Sequence, residues 1–433
     1  MTEYKPIELP FESDPALLVG FSSCEGGVCA ARGIQAQGVQ AGFRHNPERL
    51  DLALVVAQNS CPVAATFTQN RFCAAPVQLS KTRLEDGFAR AVVLNSGNAN
   101  AATGEQGLIS ATKSCQIVAH ELGCPENEVL IASTGVIGVQ LPTEGFERGI
   151  PVAAATLEAS AEAAHNAACA VMTTDTYPKE AALVGTLVLD GAQGLQETLI
   201  HIGGFVKGSG MISPNMATML AVLSTDAPLT HKAATAALRR AVNASFNKVT
   251  VDSDTSTNDS CFLFATGAAY PEATPITEEH PAFDAFSAAL ESVCQMLARQ
   301  IAADGEGATK LVTVDVVNAL NEDDAERVAF SIANSPLVKT AIFGHDANWG
   351  RVAAAAGKCG VAFDQSQVDI DLLGVPVCRA GLAIEMDEDD MLKRFEQDEL
   401  SIAISLGMGS AHARVWTCDL THEYVTINGD YRT

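Results

Sequence analysis

The sequence predicts an α/β (α+β) fold, and three observations predict it. Strand-like and helix-like stretches alternate along the chain, the strand-like ones run into loops rich in glycine or asparagine, and the helix-like ones repeat apolar residues at three- and four-residue steps. "ARAVVLNSG" (89–97) reads as a strand entering the loop "NSGNANAATG". Thr103 followed by Gln106 forms a capping-box pattern, after which Leu108, Ala111, Cys115, Val118 and Leu122 share one helix face up to Gly123. "EVLIAS" (128–133) returns to strand and runs into "TGVIG", and "AEAAHNAACAVM" (161–172) is helical by propensity. Val312, Val314 and Val316 alternate within "ATKLVTVDVVNA" (308–319), as in a half-buried strand, and "WTCDLTHEYVTIN" (416–428) alternates in part, predicting a strand that closes a sheet. The acidic run "MDEDDMLKRFEQDE" (386–399) reads as an exposed helix or loop.

Composition narrows the function. The 433 residues allow one to three domains, and 47% hydrophobic with 18% charged residues is a globular balance. A net charge of −25 argues against nucleic acid or an anionic membrane as partner and means that an anionic small substrate needs a local cluster of cations. No apolar run is long enough for a membrane span, and the acidic start "MTEYKPIELPFESD" is unlike a signal peptide. Twelve cysteines without a CxxC pair fit buried thiols in a reducing cytosol; no HExxH or paired Cys/His spacing suggests a metal. His345-Asp346 and His422-Glu423 are isolated and read as structural or surface groups, as do Asn348, Trp349 and Arg351. Walker, dinucleotide and serine-elbow patterns are all missing: the lysine of "KGSG" precedes its glycines, and "DGEGATK" (304–310) has the wrong spacing.

What remains is "KGSGMISPNMATMLAVL" (207–223), a glycine-rich loop that turns into a buried strand at Met219–Leu223, with Thr218 at the seam. Threonine is a weak nucleophile unless a base lies beside it. As the first residue of a chain it carries its own base, an α-amine of pKa about 8, within reach of Oγ1. An N-to-O acyl shift at the 217–218 bond, with the small Ala217 allowing close attack, would create that terminus. Taken by themselves, however, the residues favour the plainer reading that Thr218 ends a loop.

The stretch "KGSGMISPNMATML" resembles the self-cleavage motif of the ornithine acetyltransferase (ArgJ-type glutamate N-acetyltransferase) family. "NSGNANAATG" (95–104), "STGVIG" (133–138), "MTTDTYPK" (172–179), "VDSDTSTNDS" (251–260), "DGEGATK" (304–310), "SPLVKTAIFGHDANWGR" (335–351) and the terminal "INGDYRT" (427–433) resemble further blocks of that family in the same order. The resemblance implies a self-cleaving, N-terminal-nucleophile-like layered sandwich of helices and sheets. It implies a cut between Ala217 and Thr218, giving an α chain 1–217 and a β chain 218–433, with a smaller C-terminal α/β subdomain over about 305–433. It also implies Thr218 as nucleophile and Thr134 with Gly135 as oxyanion donors. Thr173 (with Thr174 and Thr176 as close alternatives), Lys207, Thr218, Glu306, Asn428 and Thr433 are the implied substrate-binding residues. Lys207 suits an α-carboxylate and Glu306 the free amine of ornithine, while "VDSDTSTNDS" is either a polar wall near the nucleophile or a turn.

The implied reaction is ping-pong acetyl transfer from N2-acetylornithine to glutamate in arginine biosynthesis. It needs no cofactor and would run in the cytoplasm, on α and β chains assembled as a heterotetramer of two of each. Some family members also take acetyl-CoA as donor, which would make the protein an amino-acid N-acetyltransferase as well. Two other readings share the motif: an N-terminal-nucleophile aminopeptidase, which passes the acyl group to water, and a binding protein that never cleaves.

Overall fold

The computed structural model describes residues 4–11, 20–44, 46, 48–191, 194–213 and 219–430. Its elements fall into two compact units. The larger holds most of the chain up to Asn247 together with Asp254–Leu297; the smaller holds Lys248–Ser253, Ala298–Arg432 and the N-terminal segment. Strands and helices are mixed throughout both, as the sequence predicts.

In the larger unit a nine-stranded sheet is built from β1 (Ser22–Ser23), β2 (Ile34–Val39), β3 (Leu52–Phe67), β4 (Phe88–Asn98), β5 (Val129–Val136), β6 (Lys179–Gly191), β7 (Gly194–Lys207), β8 (Leu220–Thr225) and β9 (Ser260–Ala265). The order is β1-β6-β7-β8-β9-β3-β4-β5, with β2 also pairing on β3. β3 pairs with β2 up to Ala57 and with β4 through Pro62, across a register shift between Val56 and Cys61, and from Val63 onward it pairs with β9. The β4–β5 and β8–β9 pairs are parallel, which demands burial of both faces. The period-2 alternation meets that demand. Val55, Val92, Leu94, Leu130 and Ala132 enter one core with the helix Ala161–Val171, while Leu54, Val56, Val93 and Ile131 enter another with the helices Gly104–Leu122 and Glu144–Ala155. All six residues of β8 are buried, as expected of its apolar run, and each large side chain there contributes about 1.5–3 kcal/mol.

In the smaller unit the sheet order is β13-β12-β11-β14-β10-β15, from β10 (Leu311–Ala319), β11 (Asp369–Leu372), β12 (Val375–Arg379), β13 (Leu382–Ala383), β14 (Glu399–Ser405) and β15 (Ala411–Cys418). Val312, Val314 and Val316 point into its core as predicted, and Asp315 between them is held by a two-pronged contact with Arg414 at 2.7 and 2.9 Å. The N-terminal segment lies on this unit, with the Ile7 amide donating to Asp371 at 2.6 Å and Phe11 under the Arg414 guanidinium at 4.0 Å.

Two local expectations are corrected. The helix Gly104–Leu122 and its Gly123 stop are present, but Thr103 makes no side-chain cap: its hydroxyl donates to Asn100 Oδ1 at 2.8 Å instead. "WTCDLTHEYVTIN" is strand only through Cys418 and becomes the helix His422–Asp430. The acidic run contains a helix, Glu388–Arg394, and Asn348 serves structurally by capping the helix Trp349–Gly357. His345 stacks on Phe395. All twelve cysteines are free thiols, and among the described residues no helix is long and apolar enough to cross a membrane.

Candidate active site

Ala217, Thr218 and Thr433 lie outside the described residues, so the site is built from their neighbours and from the remaining residues singled out in the sequence. On the near side of residues 214–218, Met211 has a left-handed φ of 58°, a costly backbone for a non-glycine residue. On the far side, the Met219 amide, directly after the proposed nucleophile, donates to Asp259 Oδ1 at 2.9 Å. "VDSDTSTNDS" therefore supplies a polar group to Met219, the first described residue after 218. Burial pushes the Asp259 carboxyl well above the usual carboxylate range, against opposing effects of the Met219 amide, Lys207 and Ser256.

Thr134 and Gly135 sit at the end of β5. Gly135 has φ 129°, and a Cβ there would lie 2.3 Å from the Gly97 carbonyl carbon on β4, so only glycine fits. The segment is fixed by buried amides: Asn258 Nδ2 donates to Ser133 O at 2.9 Å and Ala99 O at 2.6 Å, and Ser133 Oγ donates to Asn95 Oδ1 at 2.6 Å. These polar groups are satisfied by one another inside the sheet, which favours a single geometry.

Lys207, at the end of β7, is buried, and its ammonium donates to Thr134 Oγ1 at 3.3 Å. The threonine oxygen accepts from a cation, so its own hydrogen is available to donate elsewhere. Burial lowers the Lys207 pKa and Asp175 opposes that; Lys179 and Arg44 act with burial, Asp259 against it. Thr173, just past the helix Ala161–Val171, is tied to the same cluster, because its amide donates to Asp175 Oδ2 at 2.9 Å. Sequence reading missed Asp175 and Asp259 as site residues. Each lies within a quoted block, but the contacts that join them to Gly208 and Met219 span 33 and 40 residues, where no local pattern points.

In the smaller unit, Glu306 is buried in a tight turn, and Asn428 Nδ2 on the helix His422–Asp430 donates to its Oε2 at 2.7 Å. The turn requires glycine at 307, with φ 70° and the Tyr424 amide 2.6 Å from where a Cβ would stand. Asp419 anchors the loop by accepting from the Thr309 amide at 2.7 Å, the Thr309 hydroxyl at 2.6 Å and the Lys310 amide at 3.1 Å, and Thr421 Oγ1 donates to Gly307 O at 2.7 Å. Among the described residues no group of three or more His, Cys, Asp or Glu side chains is disposed to hold a metal ion.

The Thr134 hydroxyl thus accepts from a buried ammonium and sits beside a backbone that only glycine can adopt, on a mixed α/β scaffold. The chain belongs to the ArgJ family, whose model matches residues 35–433. The arginine biosynthesis bifunctional protein ArgJ of Caldanaerobacter subterraneus subsp. tengcongensis is 45% identical over 413 residues, covering 94% of this chain and 99% of the relative. The protein of the same description from Bradyrhizobium diazoefficiens is 44% identical over 404 residues, covering 93% and 95%. Among solved structures, ArgJ from Bacillus halodurans is 40% identical, with a TM-score of 0.46 over 48% of this chain and 97% of its own. Ornithine acetyltransferase from Mycobacterium tuberculosis, complexed with ornithine, is 33% identical, with a TM-score of 0.40 over 46% of this chain and 100% of its own.

Proposed function

We propose that this chain is an acetyltransferase of arginine biosynthesis that cuts itself between Ala217 and Thr218, the acyl group of Ala217 passing to Thr218 Oγ1 and the resulting ester being hydrolysed by water, leaving an α chain 1–217 and a β chain 218–433. The new α-amine of Thr218 takes the proton from Oγ1 as that oxygen attacks the acetyl carbonyl of N2-acetylornithine. Thr134 O–H and the Gly135 amide hold the oxyanion. Ornithine leaves as its amine takes up the proton, and an acetyl-threonine ester remains. The amine of glutamate then attacks that ester, releasing N-acetylglutamate and restoring the free threonine. Lys207 meets the α-carboxylate shared by both substrates, Glu306 receives the ornithine side-chain amine, and Thr173, Asn428 and Thr433 add hydrogen bonds. The enzyme works in the cytoplasm as two α and two β chains, and acetyl-CoA serves as a second donor.

The observation that supports this reading most is the Lys207–Thr134 hydrogen bond. It leaves the Thr134 hydroxyl as a donor, and such a donor to an oxyanion in a shielded site is worth about 3 kcal/mol of barrier. The test pairs a denaturing gel with an acetyl-transfer assay. Wild-type protein should run as two fragments and pass acetyl groups from N2-acetylornithine, and from acetyl-CoA, to glutamate. Thr218→Ala should stay full length and inactive. An uncut wild type that still transfers acetyl groups would sink the nucleophile assignment. Acetate release to water, unaffected by glutamate, would make the protein a hydrolase of the aminopeptidase kind.

A further inference from the structure

Asp175 belongs to none of the roles assigned so far, yet it is the most heavily bonded carboxylate of the site. Its side chain has no exposed surface. Oδ1 accepts from Lys179 Nζ at 2.7 Å and from the Gly208 amide at 2.7 Å; Oδ2 accepts from the Thr173 amide at 2.9 Å, with the Thr173 hydroxyl at 3.5 Å. It thus ties the loop after the helix Ala161–Val171 to the residue that follows Lys207. We propose that Asp175 is a positioning residue for acetyl transfer that acts through Lys207, holding the Gly208 amide next to it and so setting the Lys207 ammonium against the Thr134 hydroxyl. The inference rests on the reading of Lys207 and Thr134 as members of the acyl-transfer site.

Charge balance carries the argument. The charged groups that act on Lys207 are Asp175, Lys179, Asp259 and Arg44. Three cations thus share the site with two carboxyls, and one of these, Asp259, is pushed by burial toward its neutral form. Burial likewise works against the Asp175 anion, but the Lys207 and Lys179 charges and the hydrogen bonds it accepts hold it well below the usual carboxylate range. Asp175 is therefore the ionised partner in the cluster. With it in place the site keeps a surplus of positive charge, which suits an anionic substrate on a chain of net charge −25. Without it, burial and the charges of Lys179 and Arg44 all drive Lys207 toward the neutral amine, which binds no carboxylate.

Asp175→Asn removes the charge with little change of shape. The cut, folded variant should show a KM for glutamate and for N2-acetylornithine closest to wild type at the acid end of the active range. Relative to wild type, that KM should then climb by up to about tenfold per pH unit once Lys207 loses its proton. Dividing by the wild-type profile removes ionisation of the substrate amine, which is common to both enzymes. A purely structural carboxylate would lower activity by the same factor at every pH, and that parallel profile would overturn the proposal. Should Asp175→Asn fail to fold, Asp175→Glu carries the test. It retains the charge, so its pH profile should follow wild type while kcat falls at least several-fold because Lys207 is displaced. Wild-type kcat in Asp175→Glu, or a KM that drifts with pH, would contradict the inference. If wild-type protein transfers no acetyl group at all, the acyl-transfer reading fails; if wild type is active and Asp175→Asn parallels it, only this inference fails.

Discussion

The Thr134–Lys207 region of the larger unit and the Glu306–Asn428 region of the smaller one solve the same problem, holding a charged side chain in place, by different means. Around Lys207 the means is counter-charge: a buried ammonium is opposed by Asp175, and the neighbouring glycine at 135 admits no other residue. Around Glu306 the means is hydrogen bonding from an exposed helix: Asn428 donates to the carboxylate, and Asp419 anchors the loop through two amides and a hydroxyl. A member lost from the first region strands a buried charge, whereas a hydrogen-bond donor lost from the second can be replaced in part by water. Substitutions in the first should therefore cost catalysis heavily, and those in the second should show mainly as weaker binding.

Gly135→Ala should have the largest effect. Its Cβ would meet the Gly97 backbone at 2.3 Å on a φ of 129°, so strand β4 or β5 must shift. We expect a loss of about 1–3 kcal/mol of stability and more than about 100-fold of activity, read from thermal melts and acetyl-transfer rates. An active Gly135→Ala would show that the oxyanion donors lie elsewhere. Thr134→Val comes next: kcat should fall by about 10²-fold with little change in KM, because its hydroxyl is needed most in the transition state. A loss confined to KM would move Thr134 into substrate binding and weaken the contrast between the two regions.

For the second region, Glu306→Gln should raise KM for N2-acetylornithine by about tenfold and leave KM for glutamate nearly unchanged. Equal effects on both substrates would make the loop a general structural support. The smallest effect is expected from Asp259→Asn, compared in a Thr218→Ala background so that cleavage does not interfere. The folded-state pKa of Asp259 is raised, so ionisation favours the unfolded chain as the pH climbs past about 4, the ordinary aspartate value. The asparagine variant should match its parent below pH 4 and gain in melting temperature relative to it between pH 4 and 7. A difference that stays flat would mean that folding leaves the Asp259 pKa where it is in the unfolded chain, and a variant that loses melting temperature relative to its parent as the pH rises toward about 4 would mean that Asp259 is ionised against a cation.

Much of the scaffold was legible because it rests on local pattern. The apolar run at 219–223, the Val312–Val316 alternation and the Gly123 helix stop each declare themselves within a few residues. The failures are places where a distant or competing partner wins. The Thr103 hydroxyl is claimed by Asn100 rather than by the helix. The segment after Cys418 alternates like a strand but turns at Thr421, whose hydroxyl accepts from the Glu423 amide at 3.1 Å, and then winds into a helix. The candidate site divides the same way. Its glycines and its Lys207 stand out within their motifs, while Asp175, Asp259 and Asp419 acquire meaning only when the chain brings Gly208, Met219 and Thr309 to them.

The account turns on an acetyl group passing through Thr218, and the mass of the protein after incubation with N2-acetylornithine alone measures that most directly. With no glutamate present, one acetyl group should appear on the fragment that begins at Thr218, and adding glutamate should remove it and yield N-acetylglutamate. Transfer that proceeds with neither fragment ever carrying an acetyl group would contradict the covalent mechanism.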